Sequence, residues 1–369
     1  MNDPESAVPS PQGTITDLRV RHRSVDLIRP WGPEVLTHQI IEVTVETSDG
    51  FSGSGFTWTP SIGAQAIIAL LQNDIRSFAI GRSADPHVVW PDLWTHLHEA
   101  GSGGITTIAL AGLDLALWDS WGRSTQRSVT DLAAKTVGID PKSFVEVYGS
   151  GVNRYYSLDE LQRQAERWHA AGYSLIKMKV GGRPLRDDID RVALVRDIMG
   201  VQTRIALDAN QLWTPDEAIE AVRRLADDAT AWIEEPIVSD DLGGAALVRQ
   251  SVHAPLALGE NLHTRYQFLN AIEVGACDIV QPNIVRVGGI TPFIDIAMMA
   301  SERGVSVHPH LLPELSGQLA LAMQTQSLVE NVEGASFEEL GILAETSPVT
   351  IDGPRLQRHY RPGLGIVMK

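Results

Sequence analysis

The sequence predicts an α/β protein, a TIM-like β/α barrel carrying a smaller α+β capping domain, and three observations support this. Asp208, Glu234 and Glu260 recur at intervals of 26 residues, each closing a short apolar run, in RIALD, TAWIEE and PLALGE. A strand, a helix and their connections take roughly 25–30 residues in such barrels, so the three acids fall at equivalent points of consecutive units. At 369 residues the chain also exceeds a single barrel of ~250 residues and requires a second domain.

The amino-terminal part supplies that domain. TDLRVRHRSVDLI and THQIIEVTVETSDGFSGSGF alternate apolar and polar residues around an Asp49-Gly50 turn signal, which reads as antiparallel strands. AQAIIALLQNDI, PHVVWPDLWTHLHEA and ITTIALAGLDLALWDSWGRS then return apolar residues at helical spacing. Strands followed by helices make an α+β cap on the barrel. The expected boundaries are 1–140 for the cap, with a flexible tail over 1–13, then 141–334 for the barrel and 335–369 for a closing segment. Two cap loops, one over 29–38 with Trp31 and His38 and one holding Trp58, are the expected specificity elements, because loops that close over a site exclude water. Packing between domains explains Trp31 and Trp58 equally well.

Along the barrel, SLIKMKV ends in Lys177-Met178-Lys179, and residues two apart on a strand share a face, so both ammonium groups enter the barrel mouth. A like charge beside each, with a metal nearby, disfavours the ammonium form and pushes lysine towards a usable base. Barrel sites lie at the carboxyl ends of the strands, where three carboxylates converge, and three hard oxygen ligands suit Mg²⁺. Singly, each acid reads as a helix cap or a solvated loop charge; their common spacing is what argues for a metal. Glu234-Glu235-Pro236 offers two carboxylates, and strand alternation assigns the metal to Glu234 and places Glu235 behind it. Downstream, CDIVQPN ends in Asn283, GVSVHPH ends in His310 and SLVENVE carries Glu330, so seven successive strand ends bear a chemically capable group.

These residues together resemble the mandelate racemase subgroup of the enolase superfamily. The KxK pair, the three spaced acids with EEP at the second, the GGIT after the sixth strand and the late His carry the resemblance, which runs over nearly the whole chain. It implies a modified (β/α)7β barrel, a cap that closes over its mouth with 335–369 returning to that cap, and one Mg²⁺ ion held by Asp208, Glu234 and Glu260. It implies Lys179 and His310 as the acid/base pair, with Lys177 supporting Lys179 and touching the substrate carboxylate. Glu330 matches a position that hydrogen-bonds the enediolate oxygen, and Asn210 a substrate-contacting position; Trp31 and His38 join the substrate-binding set through the cap. The implied chemistry is removal of the proton α to a carboxylate, most directly by an acid-sugar dehydratase, alternatively by a cycloisomerase of sugar-acid lactones or anhydro sugars, or by a racemase or epimerase. A small carboxylate substrate and a homo-oligomer follow from the same likeness, although no sequence feature shows the latter.

One position departs from the pattern. Relatives commonly place an Asp at the end of the sixth strand to orient the late His, and this chain has Asn283. A neutral amide orients the ring without supplying the charge that favours imidazolium, which weakens a two-base racemase and suits a dehydratase or cycloisomerase. A turn role for Asn283 is the bland alternative. His308-Pro309-His310 also suggests the metal-binding HxH of barrel hydrolases, but that motif belongs on a first strand, ahead of any oxygen-ligand set. A Schiff-base aldolase using Lys179 gains nothing from three converging acids, and a barrel that binds sugar acids without turnover needs no acid/base pair.

Composition bounds the remainder. A formal net charge of −16 argues against nucleic acid, which requires a basic footprint. The one cysteine, Cys277, precludes an intrachain disulfide and fits a reducing compartment. MNDPESAVPSPQG lacks a basic start and an apolar core, and no apolar run reaches the ~18 residues of a membrane span, so a cytoplasmic enzyme with no membrane partner is expected.

Overall fold

The computed structural model describes residues 9–369. Three antiparallel strands open the chain, β1 (Ile15–Asp26), β2 (Thr37–Thr47) and β3 (Ser52–Thr59), in the order β1-β2-β3. Helices α1 (Ala64–Leu70) and α2 (Arg76–Ala79), joined by a π-turn over Leu71–Ile75, precede α3 (Pro86–Leu97), α4 (Ile105–Thr125) and α5 (Val129–Val137). Asp85 caps α3 through the His87 N–H, with Pro86 at the first helical position where its missing donor is not needed. The long helix α4 lies directly on β3: a Cβ added at Gly55 would stand 2.4 Å from the Ala116 nitrogen, so only glycine permits that approach.

The barrel then alternates strand and helix: β4 (Val145–Ser150), α6 (Leu158–Ala170), β5 (Leu175–Lys179), α7 (Leu185–Met199), β6 (Arg204–Asp208), α8 (Pro215–Leu225), β7 (Thr230–Glu234) and α9 (Leu242–Ser251). It continues with β8 (Leu256–Leu258), α10 (Arg265–Glu273), β9 (Ile279–Val280), α11 (Ile290–Glu302), β10 (Ser306–Val307), α12 (Pro313–Ala320) and β11 (Leu328–Val332). The eight strands are parallel, in the order β10-β9-β8-β7-β6-β5-β4-β11, the (β/α)7β arrangement. Ser157, Thr214 and Thr264 each close a capping box at the start of α6, α8 and α10, which fixes where those helices begin. A last hairpin, β12 (Val349–Asp352) and β13 (Arg355–Arg358), joins the sheet by pairing β13 antiparallel to β4.

Buried polar contacts seat the cap on the barrel. Asp114 of α4 accepts from both the backbone N–H and the hydroxyl of Thr291 at the start of α11, and Trp118 donates to that same hydroxyl at 2.9 Å. Trp90 of α3 donates to the Gly288 carbonyl at 2.8 Å. The closing segment touches the cap too: Leu364 N–H donates to Asp119 of α4. Of the tail expected over 1–13, residues 1–8 lie outside the described residues, and the Pro9 carbonyl accepts from Trp121. Among the described residues, no helix is long and apolar enough to cross a membrane.

Candidate active site

Strand alternation stacks the barrel interior in layers. Tyr148, Leu175, Ala206, Trp232, Ala257 and Ile279 form an apolar floor, one from each of β4 to β9. Two residues further along, the same alternation turns Ser150, Lys177, Asp208, Glu234 and Gln281 to the same side, all buried. On β8 the residue two beyond Ala257 is Gly259, with φ +135°, where a Cβ would stand 2.8 Å from the Phe268 ring. The strand turns at that glycine, and Glu260 delivers the carboxylate one residue later.

Asp208, Glu234 and Glu260 therefore meet, with one oxygen from each within 4.8 Å of the others. Asp208 and Glu234 are 0 % and 1 % exposed. Glu260 Oε2 is buried without a hydrogen-bond partner and has the His310 Nε2 atom at 2.9 Å, an ion-pair distance when that ring is protonated. A convergent set of hard carboxylate oxygens, one unsatisfied, fits a divalent cation of the Mg²⁺ kind.

Both lysines of the KxK pair lie on these acids. Lys177 Nζ sits 2.5 Å from Glu234 and 2.8 Å from Glu330, and Lys179 Nζ donates to Asp208. Burial alone would lower both ammonium pKa values, but the carboxylates outweigh it, holding Lys177 well above its ordinary value and Lys179 above its own. The sequence argument weighed the neighbouring ammonium and the metal, which push the other way; direct contact with carboxylates wins here because it acts at the shortest range. Burial, with Asp208, Glu330 and Glu260 nearby, raises Glu234 to about 7 against the pull of Lys177. Glu330, despite burial, is drawn down to about 2 by Lys177 and His310, and it also accepts from Ser150 at 2.7 Å and from Leu311 N–H.

Lys179 is held from behind. Its backbone N–H donates to Asn153 Oδ1, and its carbonyl accepts from Arg191 Nη1 at 2.8 Å. Arg191, 1 % exposed, also bonds Asp188 and the Asn153 carbonyl. Arg191→Ala removes the partner of a buried carboxylate and is expected to cost about 3–5 kcal/mol, read as a lowered midpoint in urea unfolding; a midpoint unchanged from wild type contradicts that reading.

Asn283 bonds His310 as the sequence anticipated, and the direction of the bond carries chemical information. Asn283 Oδ1 accepts from the backbone N–H groups of Val285 and Arg286, which fixes the amide and leaves Nδ2 facing His310 Nδ1 at 3.1 Å. Nδ2 only donates, so Nδ1 must accept, and the neutral ring carries its proton on Nε2. An Asp in this place would accept Nδ1–H and present the opposite tautomer.

Backbone strain concentrates at the same mouth. Asn210, Gln211, Glu235, Leu311 and Leu312 all adopt positive φ, between 38° and 66°, and each follows within three residues one of Asp208, Glu234 or His310. Such conformations persist where a site demands them.

Above the acids lies a cavity of about 210 Å³ lined by Lys179, Asn210, Glu260, His310 and Glu330 from the barrel and by Trp31, Val35, Trp58 and Pro60 from the cap. Trp31 and Asn210 thus reach the cavity. His38 does not line it: it lies behind, its ring centroid 4.4 Å from Trp31 and 4.9 Å from Trp58. Nor do His38 and Trp58 belong to loops; they sit on β2 and β3, with Ile40 of β2 paired to Trp58, because alternation carries on through Thr57 and Trp58. Arg286 holds the Glu260 carbonyl and the Asn261 side chain, and Asn261 in turn bonds both oxygens of Glu235. His308 is packed against Trp232, its Nδ1 accepts from Leu328 N–H, and burial lowers it to about 4, so it forms no metal pair with His310. Sequence reasoning missed Ser150, Gln281 and Arg191. Gln281, which donates to Glu234 at 2.7 Å, was detectable, since it precedes Asn283 by two as Lys177 precedes Lys179.

Comparison with known proteins agrees with this geometry. Residues 22–133 match the family model for the mandelate racemase/muconate lactonizing enzyme N-terminal domain, and residues 160–369 match that for the enolase C-terminal domain-like family. A 3,6-anhydro-α-L-galactonate cycloisomerase of Streptomyces coelicolor is 36% identical over 336 residues, 90% of either chain. A racemase from Streptomyces coelicolor, solved with bound magnesium, superposes with a TM-score of 0.88 at 31% identity, covering 96% of this chain and 97% of that one. An L-talarate dehydratase from a Polaromonas species, solved with Mg and L-glucarate, has a TM-score of 0.84 at 31% identity, covering 97% and 96%.

Proposed function

Since the chain belongs to the mandelate racemase/muconate lactonizing enzyme family of the enolase superfamily, a family of Mg²⁺-dependent lyases and isomerases, we propose that it is an acid-sugar dehydratase working through the site at its barrel mouth. The observation that carries this reading is the convergence of Asp208, Glu234 and Glu260 with Lys179 on one flank and His310 on the other. Held by those three carboxylates, Mg²⁺ would supply fixed positive charge for the negative charge that develops on the substrate carboxylate as its α-proton leaves.

The chain's own groups divide the remaining work. Lys179 Nζ takes the α-proton, once it has released a proton of its own. Lys177, locked between Glu234 and Glu330, stays an ammonium and donates hydrogen bonds near the substrate carboxylate. His310 Nε2–H donates a hydrogen bond to the β-oxygen as the C–O bond breaks, and the Lys179 ammonium formed by taking the α-proton supplies the proton with which that oxygen leaves as water; the enol product then ketonises. Asn210 and Trp31 bound the space in which the sugar chain lies.

A cycloisomerase is the second reading, favoured by the likeness to the anhydrogalactonate enzyme. The same groups then act, but the departing β-oxygen is a ring ether and stays attached, so the product has the substrate's mass. A racemase is disfavoured because it needs His310 Nε2 as a base, and the Asn283 contact selects the neutral tautomer with its proton on that atom. Mass spectrometry after incubating the Mg²⁺-loaded enzyme with a sugar-acid panel tests the proposal: a product lighter by one water supports it, an isobaric ring-opened product selects the second reading, and an unchanged panel contradicts both.

Asn283→Asp accepts the Nδ1 proton, frees the Nε2 lone pair and should bring epimerisation of recovered substrate, followed by ¹H NMR, where the parent protein shows none. Failure of any epimer to accumulate in a folded, Mg²⁺-binding variant removes Asn283 from the stereochemical control.

A further inference from the structure

The two flanks of the cavity differ in charge. All of its ionisable lining comes from the barrel, whereas the cap contributes Trp31, Val35, Trp58 and Pro60. The ionisable group nearest behind that cap wall is His38, 7 % exposed and wedged between the two indoles, and burial alone lowers it to about 4, so the ring is neutral. The neighbouring guanidinium groups are engaged elsewhere. Arg29 lies over Tyr156 and bonds its hydroxyl, and Arg154 holds the Ala209 carbonyl and Asn210. Arg286 lines the cavity too, but from the barrel side, where its Nη1 is tied to the Glu260 carbonyl and Asn261. A carboxylate pressed against the cap wall would be desolvated with no cation to meet it, which is costly.

One polar group of that wall is unused. Trp58, 6 % exposed, lines the cavity, and its indole Nε1–H is buried with no acceptor in the protein. Buried donors are seldom left so, and this one calls for an acceptor oxygen on the ligand; the absence of a cation beside it is what favours an uncharged one. At about 210 Å³ the cavity is also smaller than the ~300–1,000 Å³ that accommodates drug-sized ligands, which restricts the occupant to a compact molecule.

We propose that the substrate is a compact sugar monocarboxylate whose remote end is uncharged, and that Trp58 donates its indole N–H to a hydroxyl or ring oxygen at that end. The proposal rests on the α-proton reading above and selects within it. The relatives do not make that selection, since galactonate bears one carboxylate, talarate two, and the two relatives match this chain at comparable identity. His38 is a positioning residue in this arrangement, spacing Trp31 from Trp58.

The test is calorimetric binding to the Mg²⁺-loaded enzyme of L-galactonate, D-gluconate and 3,6-anhydro-L-galactonate, set against galactarate and D-glucarate, with α-proton exchange in D₂O recorded in parallel. At least one monocarboxylate should bind about tenfold or more tightly than its diacid counterpart. Trp58→Phe should weaken that binding about three- to tenfold, the worth of one neutral hydrogen bond, without changing Mg²⁺ affinity. Val35→Arg, which places a cation on the cap wall, should shift the preference towards the diacids. Equal or tighter binding of the diacids, no effect of Trp58→Phe, or no binding by any of the five acids overturns the proposal. Selective monocarboxylate binding without exchange would sustain it and instead overturn the α-proton chemistry.

Discussion

Lys179→Ala is expected to lower the rate of α-proton exchange by about three orders of magnitude, the usual contribution of a positioned general base, while Mg²⁺ still binds. The physical reason lies in the separation of roles. Lys179 touches Asp208 from outside the carboxylate cluster, and Asp208 retains its second anchor, the Asn210 N–H at 2.9 Å from Oδ1. Removing the ammonium group also removes a positive charge that competes for the oxygens a cation would take. Exchange is read by ¹H NMR in D₂O and Mg²⁺ binding by calorimetry. Exchange that persists at the parent rate would shift the base to another residue, and loss of Mg²⁺ binding would make Lys179 a structural support of the metal site.

A comparable loss is expected from Glu260→Gln, for a different reason. Glu260 Oε2 is the one carboxylate oxygen of the three acids that is buried without a partner. The variant keeps the shape and removes the charge, so Mg²⁺ affinity should fall by more than about a hundredfold, beyond the 10–100-fold typical of groups that only orient metal ligands, and turnover should fall with it. Stability without metal should fall slightly, because, despite burial, His310 and the two lysines hold the Glu260 carboxyl well below its ordinary value, while Glu234 and Asp208 keep their lysine partners. Mg²⁺ titration and thermal unfolding check the two halves separately. Parent-like Mg²⁺ affinity in Glu260→Gln would place the cation elsewhere.

The barrel and its chemistry were legible because both rest on period. A parallel strand buried on both faces is a short apolar run, and the acid that ends it stands out against that run; RIALD and TAWIEE end at the last residues of β6 and β7. Alternation then identified Lys177 with Lys179. What period could not reach was contact between distant segments. Arg191 looks like one more charge on an amphipathic helix, and only the fold places it under the Lys179 carbonyl. Trp58 and His38 were read as loop residues because they stand at the edges of the strand runs, one just after SGSGF and the other closing the 29–38 segment, whereas β2 already begins at Thr37 and β3 runs on through Trp58. The lysine–carboxylate contacts were not legible for a related reason: spacing places charges on the same face, but which of them touch depends on side-chain reach. The direction of the Asn283 amide likewise depends on the backbone N–H groups of Val285 and Arg286, which no spacing rule specifies.

The most direct measurement is the ¹H NMR spectrum of sugar monocarboxylates incubated with the enzyme in D₂O, with Mg²⁺ and after chelation. The expected result is Mg²⁺-dependent loss of the α-proton signal together with a new 3-deoxy methylene in the product. An α-proton signal that survives with Mg²⁺ present in every acid shown to bind, or a loss that continues after chelation, would contradict metal-assisted proton abstraction at this site.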